Sequence, residues 1–439
     1  MNDQFEYEKT DRGIRLTKYI GNAAEVALPT EIDGEPVTIL GSHAFFENGM
    51  DIRRILVPGT VKVIEAYACE FCLGLRELRL AEGVEELHQG FLVVSQQQEL
   101  YIPSTVRLIE APDELGTALR ISPKNPWYHT DGYALYRRTE DGGLALEAVR
   151  NGAQRQEYEI PEGVTQIRAH AFDSQTALRR LTIPSTMREM AEGVLVDFRN
   201  PFNEESGITE LILSPDNTSY FMEESGLYRH LPEGGLELIR YFGDQQDVIP
   251  APEIRVIGRG AFAKSRIRRI TIPSTIEKIY GEAFADCPLE TVFFQAAEME
   301  IFFPSIHPYL LKNALKGFGA NGKLYDFSFY DRVLEDPSLN PEKVRMILCR
   351  LKYPENLPET VRETYIENLS EHVEQIAARQ AEKKDLDGLK QMAEQGFFTA
   401  ANVDRVIEIL NRAHWQEGLT AVMNYKNDTI GNQAFDFSL

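Results

Sequence analysis

The sequence predicts an α+β chain: a β-solenoid with a parallel sheet along one face and two β-hairpin insertions, followed by an α-helical repeat domain. Three observations predict it. A phrase made of an Ala-Phe pair, a spacer, a Leu-x-x-Leu-x-Ile ladder and Pro-Ser-Thr recurs, clearest as Ala171–Thr186 (AFDSQTALRRLTIPST) and again as Ala261–Thr275 (AFAKSRIRRITIPST). Each phrase is followed by an apolar opener, and consecutive openers keep a nearly constant interval. Beyond Asn340 the apolar spacing changes from two to three and four, the period of a helix.

Residues 1–36 are expected to form a capping hairpin. Phe5 to Leu28 alternates apolar and polar residues on either side of Gly13 and Gly21, and a hairpin there shields an end that would otherwise pair with other chains. The solenoid is expected over 37–295. Its openers Val37, Val61, Val84 and Val106 lie 61 − 37 = 24, 84 − 61 = 23 and 106 − 84 = 22 apart. The register resumes at Val164 and Met187, and again at Ile254 and Ile276. Units this short cannot bury an apolar face alone and must stack, as leucine-rich solenoids do. Proline ends each ladder, at Pro58, Pro103, Pro161, Pro184 and Pro273, where its missing N–H is least costly.

Two insertions, at about 122–160 and 214–250, are copies of each other. Asn125, Tyr128, Tyr136 and Gly142-Gly143 match Asn217, Tyr220, Tyr228 and Gly234-Gly235, with 217 − 125 = 92 and the same offset for every pair. Apolar runs on both sides of the Gly-Gly turn, LEAVRN and LELIRY among them, predict a β-hairpin projecting from the solenoid. Residues 296–330 are aromatic-rich and irregular, a junction or cap. The helical domain is expected over 331–439. Pro341 suits a helix start, with Val344, Ile347, Leu348 and Leu351 on one face and further helices near 360–380, 385–395, 402–413 and 416–425. Asp387–Met392 and Glu417–Val422 lie 417 − 387 = 30 apart, a helical-repeat character.

On the Ala-Phe…Leu-x-x-Leu-x-Ile-Pro-Ser-Thr units, the Ile32-Asp-Gly-Glu-Pro-Val37 segment and the Asn-x-x-Tyr hairpins, residues 5–295 resemble the BspA-type leucine-rich repeat family of bacteria. The resemblance implies a leucine-rich-repeat solenoid and a role in protein binding or surface display. The helical tail looks like a degenerate ankyrin-like array, although its offset is short for ankyrin and the Thr-Pro-Leu-His signature is absent.

Bulk properties narrow the function. With 43% hydrophobic residues the 439-residue chain can bury a core, and its net charge of −22 repels phosphate backbones and anionic lipid. Met1–Gly13 has neither the basic start nor the apolar core of a signal peptide, no run of about 18 apolar residues exists, and the C-terminal GNQAFDFSL carries no anchor, so the expected location is cytoplasmic. A cell-surface adhesin whose export signal is missing from the sequence is the alternative.

Motifs that carry chemistry fail on context. Gly317-Phe-Gly-Ala-Asn-Gly-Lys323 imitates a phosphate loop, but Leu324 stands where magnesium needs a hydroxyl, and a helical segment precedes it. Cys69 and Cys72 have metal or redox spacing, yet fall at spacer positions of the repeat, as Cys287 does, so they are expected to be buried packing. His43 and His170 both precede an Ala-Phe step, a shared position unsuited to a unique catalyst. No catalytic, cofactor-binding or metal residue is assigned, and no cofactor is expected.

The informative residues stand between the inward residues of each ladder, where strand alternation turns them outward. They are Arg54 and Leu56, Glu77 and Arg79, Glu99 and Tyr101, Arg180 and Thr182, Glu210 and Ile212, Arg269 and Thr271, Thr291 and Phe293. Arginine and aromatic side chains favour contact surfaces. Arg54, Glu77, Arg79, Tyr101, Arg180, Glu210, Arg269 and Phe293 are therefore the candidate interaction surface, against the alternative of a solvated charged sheet. The expected function is non-enzymatic recognition of a protein partner, with neither nucleic acid nor membrane. An enzyme with its site in 296–330 would need a deep pocket with converging polar groups.

Overall fold

The structure, a computed structural model, describes residues 4–46, 50–92, 96–112, 117–150, 155–173, 175, 177–196, 207–304, 308–334 and 341–430. The C-terminal nonapeptide 431–439 lies outside the described residues. The chain divides into two units, Met1–His230 and Leu231–Leu439.

In the first unit each phrase makes two short strands. The ladder residues form one set: Glu25–Ala27, Arg54–Val57 and Glu77–Leu80 pair in parallel, Glu99–Ile102 pairs with Ala118–Ile121, and Glu157–Glu159, Arg180–Ile183 and Glu210–Leu213 form a further parallel trio. Alternation sends Ile55, Val57, Leu78, Leu80, Leu100, Ile102, Leu181 and Ile183 into the core. The residues after each opener form a second set of parallel strands: Glu35–Leu40, Val63–Ile64, Glu86–Leu87 and Leu108–Ile109 lie in one sheet, and Val164–Ile167 pairs with Glu189–Met190 in another. The sequence reading has one sheet; a two-residue strand is too short to show alternation, so the second is found only from its pairing.

The Pro-Ser-Thr turn has a physical reason. Thr186 Oγ1 accepts from Gly163 N at 3.0 Å and donates to Val164 O at 2.9 Å, one turn earlier. Thr105 does the same with Gly83 and Val84 at 2.9 and 2.7 Å. The threonine thus stitches these turns to their predecessors.

The insertions are more than hairpins. Tyr128–Thr130, Ala134–Arg138 and Leu144–Val149 form an antiparallel meander, and the last strand pairs in parallel with Val164–Ile167. The insertion therefore extends a solenoid sheet instead of projecting from it. In the other copy Tyr220–Glu223 pairs antiparallel with Gly226–His230, while Leu236–Tyr241 pairs in parallel with Ile254–Ile257. The N-terminus uses the same device: Phe5–Thr10 pairs antiparallel with Gly13–Tyr19, which pairs in parallel with Glu35–Leu40. Each parallel junction slips by one residue at its start, after Ile14, Leu144 and Leu236.

The repeated Asn-x-x-Tyr step is a pin. Asn125 Nδ2 donates to Pro103 O and Val106 O, both at 2.9 Å, and Oδ1 accepts from Trp127 N and Tyr128 N, both at 2.8 Å. Tyr128 Oη then accepts from Ile109 N at 3.0 Å, satisfying the outermost strand of the second sheet. Asn217 and Tyr220 repeat the pattern on Pro184, Met187 and Met190.

In the second unit Asp247–Val248, Arg269–Ile272 and Thr291–Phe294 are the parallel ladder, closed by an antiparallel strand, Met299–Phe302. Ile270 and Ile272 are buried. An aromatic column runs through the turns, from Tyr241 to Phe262, Phe284 and Phe318, with successive ring centroids 5.6, 5.3 and 4.5 Å apart. Phe303, Tyr325 and Tyr330 continue it into the junction. Glycine at 319 is required here: it lies in the left-handed region and a Cβ would stand 2.1 Å from Ile279 O. The phosphate-loop imitation is therefore a close backbone approach to the last turn.

Eight α-helices follow among the described residues, from Pro308–Leu315 to Gln416–Tyr425. They protect the closing strand, whose outer edge would otherwise invite pairing. Tyr330 Oη donates to Phe302 O at 2.7 Å, and Glu300 N donates to Tyr353 Oη at 3.2 Å. The helix predicted near 360–380 is two, Glu359–Glu371 and Val373–Lys383, broken at His372 (φ −113°). The last four helices form two pairs, Val373–Lys383 with Leu386–Glu394 and Val403–Arg412 with Gln416–Tyr425. Lys384 and His414, 30 apart, hold the same left-handed turn.

Candidate interaction surface

On a ladder strand the first and third residues face out. In the first unit the first column reads Glu25, Arg54, Glu77 in register. Arg54 contacts Glu25 at 3.0 Å and Glu77 at 2.6 Å, and Arg79 reaches back along its own strand to Glu77 at 2.6 Å. In the next set Arg180 stands between Glu157 and Glu210, at 2.5 and 2.8 Å. In the second unit Arg269 Nη2 donates to Asp247 Oδ2 at 2.7 Å. In these strands the first column alternates acid and arginine, and hydrogen bonds act on two of its carboxylates: Glu77 is held below its ordinary value by Arg54 and Asp247 by Arg269.

The third residue of each strand is less committed. Tyr101 lies under the Arg120 guanidinium, 4.8 Å from its ring centroid, and Arg120 pairs with Glu99 at 2.8 Å. Ile212 is 45% exposed, opposite Thr182. Phe293 is 38% exposed, between Thr271 and Glu300. Sequence reasoning found the outward residues but not their partners; Glu25, Glu157 and Asp247 lie one ladder away, at a distance that only the register sets.

Other candidates resolve as follows. Cys69 and Cys72 are fully buried, and the Cys69 thiol is pushed up by its hydrogen bond with Cys72 and by burial. Burial pushes Cys287 up to about 11. These are buried packing groups, and among the described residues no cluster of three His, Cys, Asp or Glu could hold a metal. His43 and His170 both sit at left-handed turn positions, His43 Nδ1 2.8 Å from Glu70 and His170 Nδ1 2.8 Å from Asp173. In the junction a cavity of about 230 Å³ is walled by Ile272, Ile276, Phe294, Met299, Leu324 and Phe327. Its charged groups are Lys323 and Glu355, 3.9 Å apart, and no nucleophile paired with a base lines it. Among the described residues no helix is long and apolar enough to cross a membrane.

Residues 25–112, 148–213 and 245–307 match six copies of the BspA type leucine rich repeat region. These segments are similar to BspA-type leucine-rich repeats. No curated protein matches the chain. Among solved structures, a leucine rich cell surface protein of Faecalibacterium prausnitzii is 17% identical, covers 68% of this chain and 95% of its own, and superposes with a TM-score of 0.32. A leucine rich repeat protein of T. pallidum is 20% identical, with coverage of 48% and 80% and a TM-score of 0.26. A leucine-rich repeat protein of Bacteroides ovatus is 15% identical, with coverage of 65% and 92% and a TM-score of 0.26. Likeness at this level concerns the repeat and carries nothing about function.

Proposed function

We propose that this repeat protein is a non-enzymatic recognition module that binds a protein partner across its ladder sheets. The reading is carried by one observation. The first outward column carries cross-strand ion pairs, while the third residues include Ile212 and Phe293, both exposed, and Tyr101, half-buried under the Arg120 guanidinium. Exposed aromatic and apolar side chains set in a polar rim are the composition of contact surfaces. Recognition needs no covalent step, and Arg54, Glu77, Arg180, Glu210 and Arg269 serve it by holding the sheet flat and charged. The paired helices after His372 fit a degenerate ankyrin-like repeat, supported by their 30-residue spacing.

A photo-crosslinking amino acid placed at Ile212 or Phe293 should trap one protein species in cells, and the same group at Glu382, on an exposed helix face, should not. Equal adducts at all three positions would remove the ladder sheets as the contact surface. The cell-surface alternative has a separate observable: protease added to whole cells would remove the protein.

A further inference from the structure

Three Pro-Ser-Thr turns, at Pro103, Pro184 and Pro273, share one set of hydrogen bonds. The opener N–H donates back to the proline carbonyl, from Val106 at 3.4 Å, Met187 at 3.3 Å and Ile276 at 3.2 Å. The threonine Oγ1 donates to the previous opener, from Thr105 to Val84 O at 2.7 Å, Thr186 to Val164 O at 2.9 Å and Thr275 to Ile254 O at 2.7 Å. Turns tied in the same way aim their own carbonyls the same way, and a buried carbonyl needs a donor. At the first two turns the donor is the asparagine of the pin. Asn125 Nδ2 serves Pro103 O and Val106 O, and Asn217 Nδ2 serves Pro184 O at 2.8 Å and Met187 O at 3.1 Å. Pro273 and Ile276 are buried too, yet among the described residues no side chain donates to either carbonyl.

The residue in the register of the pin is Glu298. The three ladder strands that follow these turns end at Ile121, Leu213 and Phe294, and 125 − 121 = 217 − 213 = 298 − 294 = 4. The turn even starts alike: Glu298 N donates to Gln295 O at 3.3 Å, as Asn125 N does to Ser122 O at 2.9 Å and Asn217 N to Ser214 O at 3.0 Å. A carboxylate, however, has no N–H to give a carbonyl. Glu298 is exposed and left-handed (φ 47°), and the chain turns back there into the antiparallel strand Met299–Phe302. Beside the unpinned turn lies the cavity of about 230 Å³. Pro273 and Ile276 line it on one side, and on the other Ala296 and Ala297, which stand in place of Pro123-Lys124 and Pro215-Asp216. Both alanines are exposed, so the cavity is reached from solvent past them.

We propose that this cavity binds an asparagine side chain on a peptide segment of another protein, which supplies in trans the carboxamide that Asn125 and Asn217 supply within the chain. Size limits the ligand. The volume of about 230 Å³ lies below the roughly 300–1,000 Å³ of small-molecule and cofactor sites, so a side chain and its neighbour fit and a cofactor does not. Chemistry narrows it further. Two carbonyls that one amide spans at the earlier turns call for a group with two N–H donors, and Phe294, Met299, Leu324 and Phe327 call for an apolar residue next to it. Lys323 and Glu355 already answer each other at 3.9 Å, so the ligand need bring no charge. The tyrosine half of the pin is excluded, because the backbone of Gly319 fills the place beside Ile279, three residues after the opener. The site belongs to the second unit and does not rest on the ladder-sheet reading.

The probe is the peptide SPKNPW, the sequence of residues 122–127, with fluorescein at its N-terminus, titrated with the full chain and read by fluorescence anisotropy. Saturable binding is expected below about 1 mM, and the same peptide with Asn125→Asp is expected to bind about tenfold more weakly or worse, since the acid lacks the donors. In the protein, Ala296→Trp fills the cavity from an exposed position and is expected to lose the binding with an unchanged melting temperature. If that variant unfolds, Ala297→Trp is read instead with the same expectation. No saturable binding up to the top of the range overturns the proposal, and so does equal affinity for the asparagine and aspartate peptides. A folded, filled variant that binds like the wild type overturns it as well.

Discussion

Asn125 makes four hydrogen bonds from one buried side chain, two donated to the preceding turn and two accepted from the following strand. Alanine there would strand buried backbone groups on both sides, at about 2–4 kcal/mol. Urea unfolding should show that loss for Asn125→Ala, and roughly half of it for Asn125→Asp, which keeps the acceptors. A second residue sets the acid limb. Burial alone pushes the Asp131 carboxyl up, but the Ala134 N–H, the Tyr158 hydroxyl and the Tyr133 N–H, at 2.7, 2.7 and 2.8 Å, hold it below its ordinary value. Its contribution is complete above about pH 4, where the unfolded carboxyl is also ionised, and drains away as pH falls through the lower folded value. Thermal melts of Asp131→Asn should therefore converge with wild type below that pH and separate above it. Asn125 was legible as half of a repeated motif. The Asp131 network was not, because Tyr158 comes from a different strand.

At the scale of elements, the two last helix pairs share a register in which Gln380 occupies the place of Leu410, 30 residues on. Leu410 is fully buried; Gln380 is too, but neither its Oε1 nor its Nε2 has a partner. An unpaired buried amide is unfavourable by about 1–3 kcal/mol. Gln380→Leu should raise the chemical denaturation midpoint of the helical region by an amount in that range, and a fall in stability would mean the register is misread. The 30-residue offset came from Asp387–Met392 and Glu417–Val422 alone, since Gly388 and Gly418 repeat visibly. The mismatch at 380 is visible only after the helices are superposed. The solenoid strands behave likewise. Leu181, Ile183, Ile270 and Ile272 announce their burial by alternation, whereas the second sheet is built from strands of two to six residues that alternation does not reveal.

For the molecule as a whole, net charge is the strongest constraint on partners. With −22 and arginines tied into acid ladders, DNA and RNA should fail to retard in a gel at micromolar protein and physiological salt. A salt-sensitive shift would contradict the charge argument. The helical region also has a structural duty: Tyr330 and Tyr353 hydrogen-bond the closing strand Met299–Phe302, so these helices cover an edge whatever else they bind. The sequence marked 296–330 as aromatic and irregular, which is how a cap reads before its stacking partners Phe262 and Phe284 are known.

Sequence alone determined the stacking architecture, the inward residues and the doubled insertion, because period and alternation are written locally along the chain. The tertiary structure decided the rest: that the N-terminal hairpin is a third copy of the insertion device, that the outward arginines are already paired, and that the last Pro-Ser-Thr turn goes without its pin. Each of these depends on which residues become neighbours across turns some 22 residues apart, and lateral register is set by packing rather than by any single repeat.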